Sequence, residues 1–247
     1  MVHVHFEIYQ GLLNQPSLRV DYRAYSLPTL VTPTDDVAWG NRIIWICARV
    51  LQWAQSNSRT QSEWQRLKDN VDEWERERPS GFNAFFYQEA DLTEGRHFPE
   101  LWFPNLCHGM LTRFALLSSW LTLYKADAHQ HLRICRIALA MSHPDTESTR
   151  NHESENAREI EVAGWLKEMV AVARCNPHAV SAPSIAAHAM HKFAVGLRDP
   201  LDQRNVMEFL EEVEVMGWST DLTRRWLRVQ WGWLMQDNAE HSNEEFL

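Results

Sequence analysis

The chain has 247 residues, enough for one large domain with a full core, and a formal net charge of -9, which gives no basic footprint for a nucleic-acid groove. Hydrophobic residues at 45% and charged residues at 23% suit a soluble globular protein, while nine glycines argue against an all-β fold rich in tight turns. Twelve tryptophans point to broad helix–helix contacts or to a pocket walled by aromatics.

Residues 5–14 form a short predicted helix with Phe6, Tyr9, Leu12 and Leu13 on one face, ended by Pro16. Residues 17–33 show no sustained period, and Pro28, Pro33 and the threonines mark a loop. Together, residues 1–34 read as a loosely packed N-terminal arm. Thr34-Asp35-Asp36 then supplies an N-terminal cap for a helix to about residue 55, with Val37, Ile44, Ala48 and Leu51 in register. The next helix starts at Thr60 or Ser62 with Glu63 in its first turn, and Trp64, Leu67, Val71 and Trp74 make its stripe. Arg78-Pro79-Ser80-Gly81 stops it. Residues 82–88 are aromatic and aperiodic, an apolar loop with a short strand as the alternative.

The stretch Phe98-Pro99-Glu100-Leu101-Trp102-Phe103-Pro104-Asn105 is the least ordinary in the chain. Two prolines push it out of the helical region, so an extended or irregular crossing is expected, with its apolar residues packed between helical halves. The most apolar helix follows over 106–126, centrally placed, and another spans 128–142. Residues 143–155 are polar and read as a surface loop. Amphipathic helices are expected over 154–175, from Ser181-Ala182-Pro183 to about 199, over 201–216, and from the turn Gly217-Trp218-Ser219-Thr220 to about 235. The tail 236–247 is polar, acidic and expected to fray. The sum is an all-α fold, a single irregular bundle of eight to nine helices in one domain.

No catalytic or metal motif stands out. There is no H-E-x-x-H, no G-x-S-x-G and no glycine-rich nucleotide loop. His188 and His191 share a helix face without the carboxylate partners a metal needs, so no metal and no cofactor are expected. Cys47, Cys107, Cys135 and Cys175 are far apart and read as reduced, buried hydrophobes of an intracellular protein. The acidic run Glu208, Glu211, Glu212, Glu214 is a solvated helix face. The N-terminus has no secretory signal, and no apolar run reaches the roughly 18 residues of a membrane span. An aromatic cavity is the remaining site prospect. Its candidate ligand-binding residues are Trp102, Phe103, Phe114 and Trp120 as apolar wall, with His108 and Arg113 as polar groups beside it. Core packing competes with that role at each aromatic.

The motifs in order resemble a known family. Asp36-x-x-Trp39-x-Asn41-Arg42-Ile43 and Cys47-Ala48-x-Val50-Leu51-Gln52 are followed by the helix ending in Trp74, Arg78-Pro79-x-x-Phe82 and the Phe98–Phe103 stretch. Gly217-Trp218-Ser219-Thr220 and Leu227-x-x-x-Trp231-Gly232 close the series. This order is similar to the all-helical regulatory region of fungal binuclear zinc-cluster transcription factors. The resemblance implies a nuclear, non-catalytic role in transcription control, with response to small molecules in some members and a link to secondary metabolism. The six-cysteine cluster and the basic linker of that family do not occur in this sequence, so direct nucleic-acid binding by this segment is not expected. The expected partners are an apolar small molecule, a protein partner or a second copy, in the nucleus by resemblance and otherwise in the cytoplasm. Two other functions stay open: a cofactor-independent enzyme that cyclises or isomerises an apolar metabolite, and a pure protein–protein module.

Overall fold

The computed structural model describes residues 2–13, 33–104, 114–144 and 152–233, and within them the chain is an all-α bundle of eight helices with one two-stranded ribbon. The helices are α1 (Val2–Leu12), α2 (Asp36–Ala54), α3 (Gln61–Glu77), α4 (Phe114–Met141), α5 (His152–Cys175), α6 (Ala182–Phe193), α7 (Pro200–Val215) and α8 (Asp221–Gln230). Strands β1 (Phe86–Gln88) and β2 (Glu100–Trp102) pair antiparallel, with Phe86 opposite Trp102.

Local chemistry sets the helix ends. The Asp35 carboxylate accepts the Ala38 N–H at 2.8 Å and starts α2. The Thr60 hydroxyl accepts the Glu63 N–H and starts α3, while Arg78 and Pro79 turn the chain out of it. Gly217 closes α7 at φ 99°, and the Trp218 N–H reaches back to the Val213 carbonyl. Thr220 stands at the entrance to α8 but does not cap it. Its buried hydroxyl donates to the Leu210 carbonyl at 2.7 Å and so ties the turn to α7.

Helix α4 is the axis. It packs on α2, α3, α5 and α6, and Leu132, Ile134, Cys135 and Ile137 lie fully inside. The expected break between residues 126 and 128 does not occur. No Pro or Gly interrupts that stretch, and Asp127 accepts a hydrogen bond from the Ser181 hydroxyl at 2.7 Å instead of capping a new helix. The loose N-terminal arm also needs correction where it is described. Ile8 and Leu12 of α1 are fully buried, with α1 lodged against α2 and α6. The remainder of that arm, the start of the helix expected over 106–126, most of the loop 143–155 and the tail 236–247 lie outside the described residues.

The 98–105 stretch is extended over its described residues, 98–104, as the prolines require. Asn176, at the end of α5, holds it: its side-chain oxygen accepts the Phe103 N–H at 3.0 Å, and its amide donates to the Leu101 carbonyl at 2.9 Å.

Candidate functional site

Of the six expected ligand-binding residues, Trp102 and Phe103 are the ones whose side chains are described, and these two do not share a wall. Trp102 and Phe103 are neighbours on an extended segment, and such neighbours point to opposite sides. Phe103 is 2% exposed and faces the core, its ring 5.4 Å from that of His129. Trp102 is 39% exposed, so its expected burial is not met; it borders an open cleft of about 400 Å³ with Arg174 and Glu208. Phe114 and Trp120 belong to the first turns of α4. His108 and Arg113 lie outside the described residues.

A better site lies elsewhere, where α3, α4 and α5 meet. A cleft of about 620 Å³ opens there, between Trp64 of α3 and Trp165 of α5, with Arg133 and Arg136 of α4 among its lining residues. That volume suits a drug-sized organic molecule. Trp64 is fixed in orientation: its indole N–H donates to the Leu139 carbonyl at 3.0 Å, and His143 meets its ring edge-on with centroids 4.3 Å apart.

The cleft is bordered by an ion-pair network that ties the three helices together. Arg136 extends one terminal nitrogen to Asp72 and the other to Glu75, both at 2.5 Å, linking α4 to α3. Lys68 pairs with the same Asp72 at 2.6 Å. Arg133 donates through Nε to Glu168 at 2.6 Å, linking α4 to α5, and His129 contacts the same carboxylate at 3.4 Å. Burial pushes the Glu168 carboxyl up, but His129 and Arg133 outweigh it and hold the group below its ordinary value. Burial pushes His129 down, so the ring is neutral at pH 7 and Arg133 carries the positive charge facing Glu168. Burial likewise disfavours the charged Arg136, yet Glu75 and Asp72 reverse the effect and raise it. The network is charge-compensated, and none of its pairs lies fully inside.

A second polar cluster lies deeper, between α1, α4 and α6. Asp127 is pushed up to about 7 by burial, with Ser181 opposing. His131 is driven down to about 3, and its Nδ1 faces the Asp127 carbonyl at 2.6 Å. The His5 and His131 rings lie 5.2 Å apart, and Tyr9 stacks on His188 at 4.8 Å. These groups tie α1 to the bundle through polar contacts. They do not line the α3–α4–α5 cleft.

The two histidines considered for metal binding part company. His188 faces α1 through Tyr9, and His191 faces α8 through Thr223 and Trp226. Among the described residues no group of three or more His, Cys, Asp or Glu side chains is placed to hold a metal ion. Cys47, Cys135 and Cys175 are free thiols, and burial beside Cys135 pushes Cys47 well up. Among the described residues no helix is long and apolar enough to cross a membrane.

Sequence reasoning missed the cleft because its parts come from three helices, with no shared local spacing. Two signals were present. Arg133 and Arg136 sit one turn apart on a mostly apolar helix, and Asp72 and Glu75 have the same spacing on α3. No protein-family model matches the chain, and no match is found among curated proteins or solved structures.

Proposed function

We propose that the chain is a non-catalytic helical regulatory module of the fungal zinc-cluster transcription-factor type, acting in the nucleus and controlling transcription through an effector that enters the α3–α4–α5 cleft. The family assignment comes from the ordered motifs, from Asp36 and Trp39 through Trp74 and the Phe98–Phe103 stretch to Trp231. An all-helical fold agrees with it.

The observation that carries the mechanism is the double tie of α4. Arg136 holds α3 through Asp72 and Glu75, and Arg133 holds α5 through Glu168, both beside the same cleft. A ligand that takes guanidinium donors from these carboxylates changes how two helices are fastened to a third. Partly exposed ion pairs suit such a device, because each contributes little net stability and can be exchanged for a ligand contact at small cost. The output is a shift in helix packing, read by whatever the module is joined to or bound by.

The test is a reporter assay in a fungal cell, with this chain fused to an unrelated DNA-binding domain. Wild type is compared with Arg136→Gln and Glu168→Gln, with fold checked by thermal melting. The expected result is reporter output that differs from the DNA-binding domain alone and changes several-fold in both variants. Output equal to that of the DNA-binding domain alone, and unmoved by either folded variant, contradicts the reading.

A further inference from the structure

We propose that the α3–α4–α5 cleft binds a planar aromatic carboxylate, a monoanion of about bicyclic size. This assignment rests on reading the cleft as the effector site and names the chemistry that site selects.

The walls argue for a flat ring. Trp64 and Trp165 enter the cleft from different helices, and the Trp64 ring is held by its bond to the Leu139 carbonyl. A preoriented indole offers stacking area at little cost in lost freedom. Leu139 and Ala140 add apolar lining. The volume, about 620 Å³, leaves room for two fused rings and a polar group.

The donors argue for a carboxylate. Arg133 uses Nε on Glu168, and its two terminal nitrogens have no acceptor among the described residues. Arg158, one of the lining residues contributed by α5, has no hydrogen-bond or ion-pair partner among the described residues, and the Trp165 indole N–H is likewise uncommitted. A guanidinium fork matches the two oxygens of a carboxylate. By contrast Lys68 and Arg136 are already committed to Asp72 and Glu75.

The balance of charge argues for one negative charge rather than two. Glu75 and Glu161 also line the cleft, and Asp72 and Glu168 stand behind its cations. These carboxylates cancel most of the field of the nearby lysine and arginines. A dianion such as a phosphate monoester would meet this acidic surround without enough uncommitted cations. A monoanion placed by directed hydrogen bonds and flanked by indoles avoids that cost. A carboxylate on Arg133 also competes with Glu168 for the guanidinium, which connects binding to the α4–α5 tie.

The test is calorimetric titration of the full chain with 2-naphthoate and, in parallel, with neutral 2-naphthalenemethanol. Arg158→Ala and Trp165→Leu are titrated alongside wild type, each first shown to melt cooperatively. Arg158 is chosen because it makes no structural ion pair among the described residues, so its loss leaves the fold intact. The expected result is saturable one-to-one binding of 2-naphthoate, weakened about tenfold in Arg158→Ala and about tenfold for the neutral alcohol. Trp165→Leu also weakens it. Absence of saturable 2-naphthoate binding, equal binding of the alcohol, or unchanged binding in both variants overturns the assignment. The two claims fail separately. A chain that drives the reporter but ignores 2-naphthoate loses this ligand class and keeps the regulatory reading. A chain that binds 2-naphthoate in the cleft without any reporter effect keeps the ligand class and loses the regulatory reading.

Discussion

Asn176 and Phe103 are joined by a buried hydrogen bond in which the Phe103 N–H donates to the asparagine side-chain oxygen at 3.0 Å. The same carboxamide donates to the carbonyls of Leu101 and Val172, each at 2.9 Å. One side chain therefore satisfies three backbone groups where an extended segment meets the end of a helix. Replacing it by Ala leaves buried backbone groups without partners, each of which is costly. Asn176→Ala is expected to lose about 2–4 kcal/mol of stability by urea unfolding. A loss under about half a kcal/mol would show that water replaces the amide without penalty.

The two aromatics of the same segment separate by their surroundings. Phe103 is buried against His129, so Phe103→Ala is expected to cost about 3–5 kcal/mol through the cavity it leaves. Trp102 is partly exposed and faces Phe86 across the ribbon, a cross-strand pair. Trp102→Ala is expected to cost about 1 kcal/mol. Equal losses for the two substitutions, measured under the same denaturant, would refute the inward and outward assignment.

Asp127 gives a pH signature. Burial raises its carboxyl from 3.8 to about 7 in the folded chain. Between those values the native state holds a proton that the unfolded chain has released. Its contribution to stability is therefore complete below about pH 4 and is lost as pH rises through 7. His131 acts in the opposite sense, since burial lowers it from 6.5 to about 3, and its contribution is lost as pH falls below about 6. Asp127→Asn keeps an acceptor for Ser181 and cannot ionise. The stability difference between variant and wild type is expected to shift in favour of the variant by on the order of 4 kcal/mol from pH 4 to pH 8. Chemical denaturation at several pH values measures it, and a difference that does not change with pH would place Asp127 in contact with solvent.

Much of the fold was legible because local chemistry set it. Asp35, Thr60 with Glu63, Pro79 and Gly217 mark helix ends by bonds or dihedral angles confined to a few residues. The apolar stripe Leu67, Val71, Trp74 is buried as its spacing requires. What escaped depends on distant partners. A break near residue 127 is expected between two helices, but Ser181, far along the chain, takes the Asp127 carboxylate and α4 runs through. The turn Gly217–Thr220 is legible as a helix start, but that the Thr220 hydroxyl goes to the Leu210 carbonyl is not. Trp102 reads as core because its size demands burial, but its side of the ribbon is set by pairing with β1. The cleft was the least visible part. Trp64, Arg133, Arg136 and Trp165 come together only once α3 and α5 have packed on α4.

The central claim is that filling the cleft changes how α3 and α5 are fastened to α4. Hydrogen exchange of the full chain, followed by mass spectrometry with and without saturating 2-naphthoate, tests it most directly. The account predicts altered exchange in α3 and in α5 around Glu168, with α7 and α8 unchanged. Bound 2-naphthoate with no change in α3 or α5, or with the same change in every helix, would contradict it.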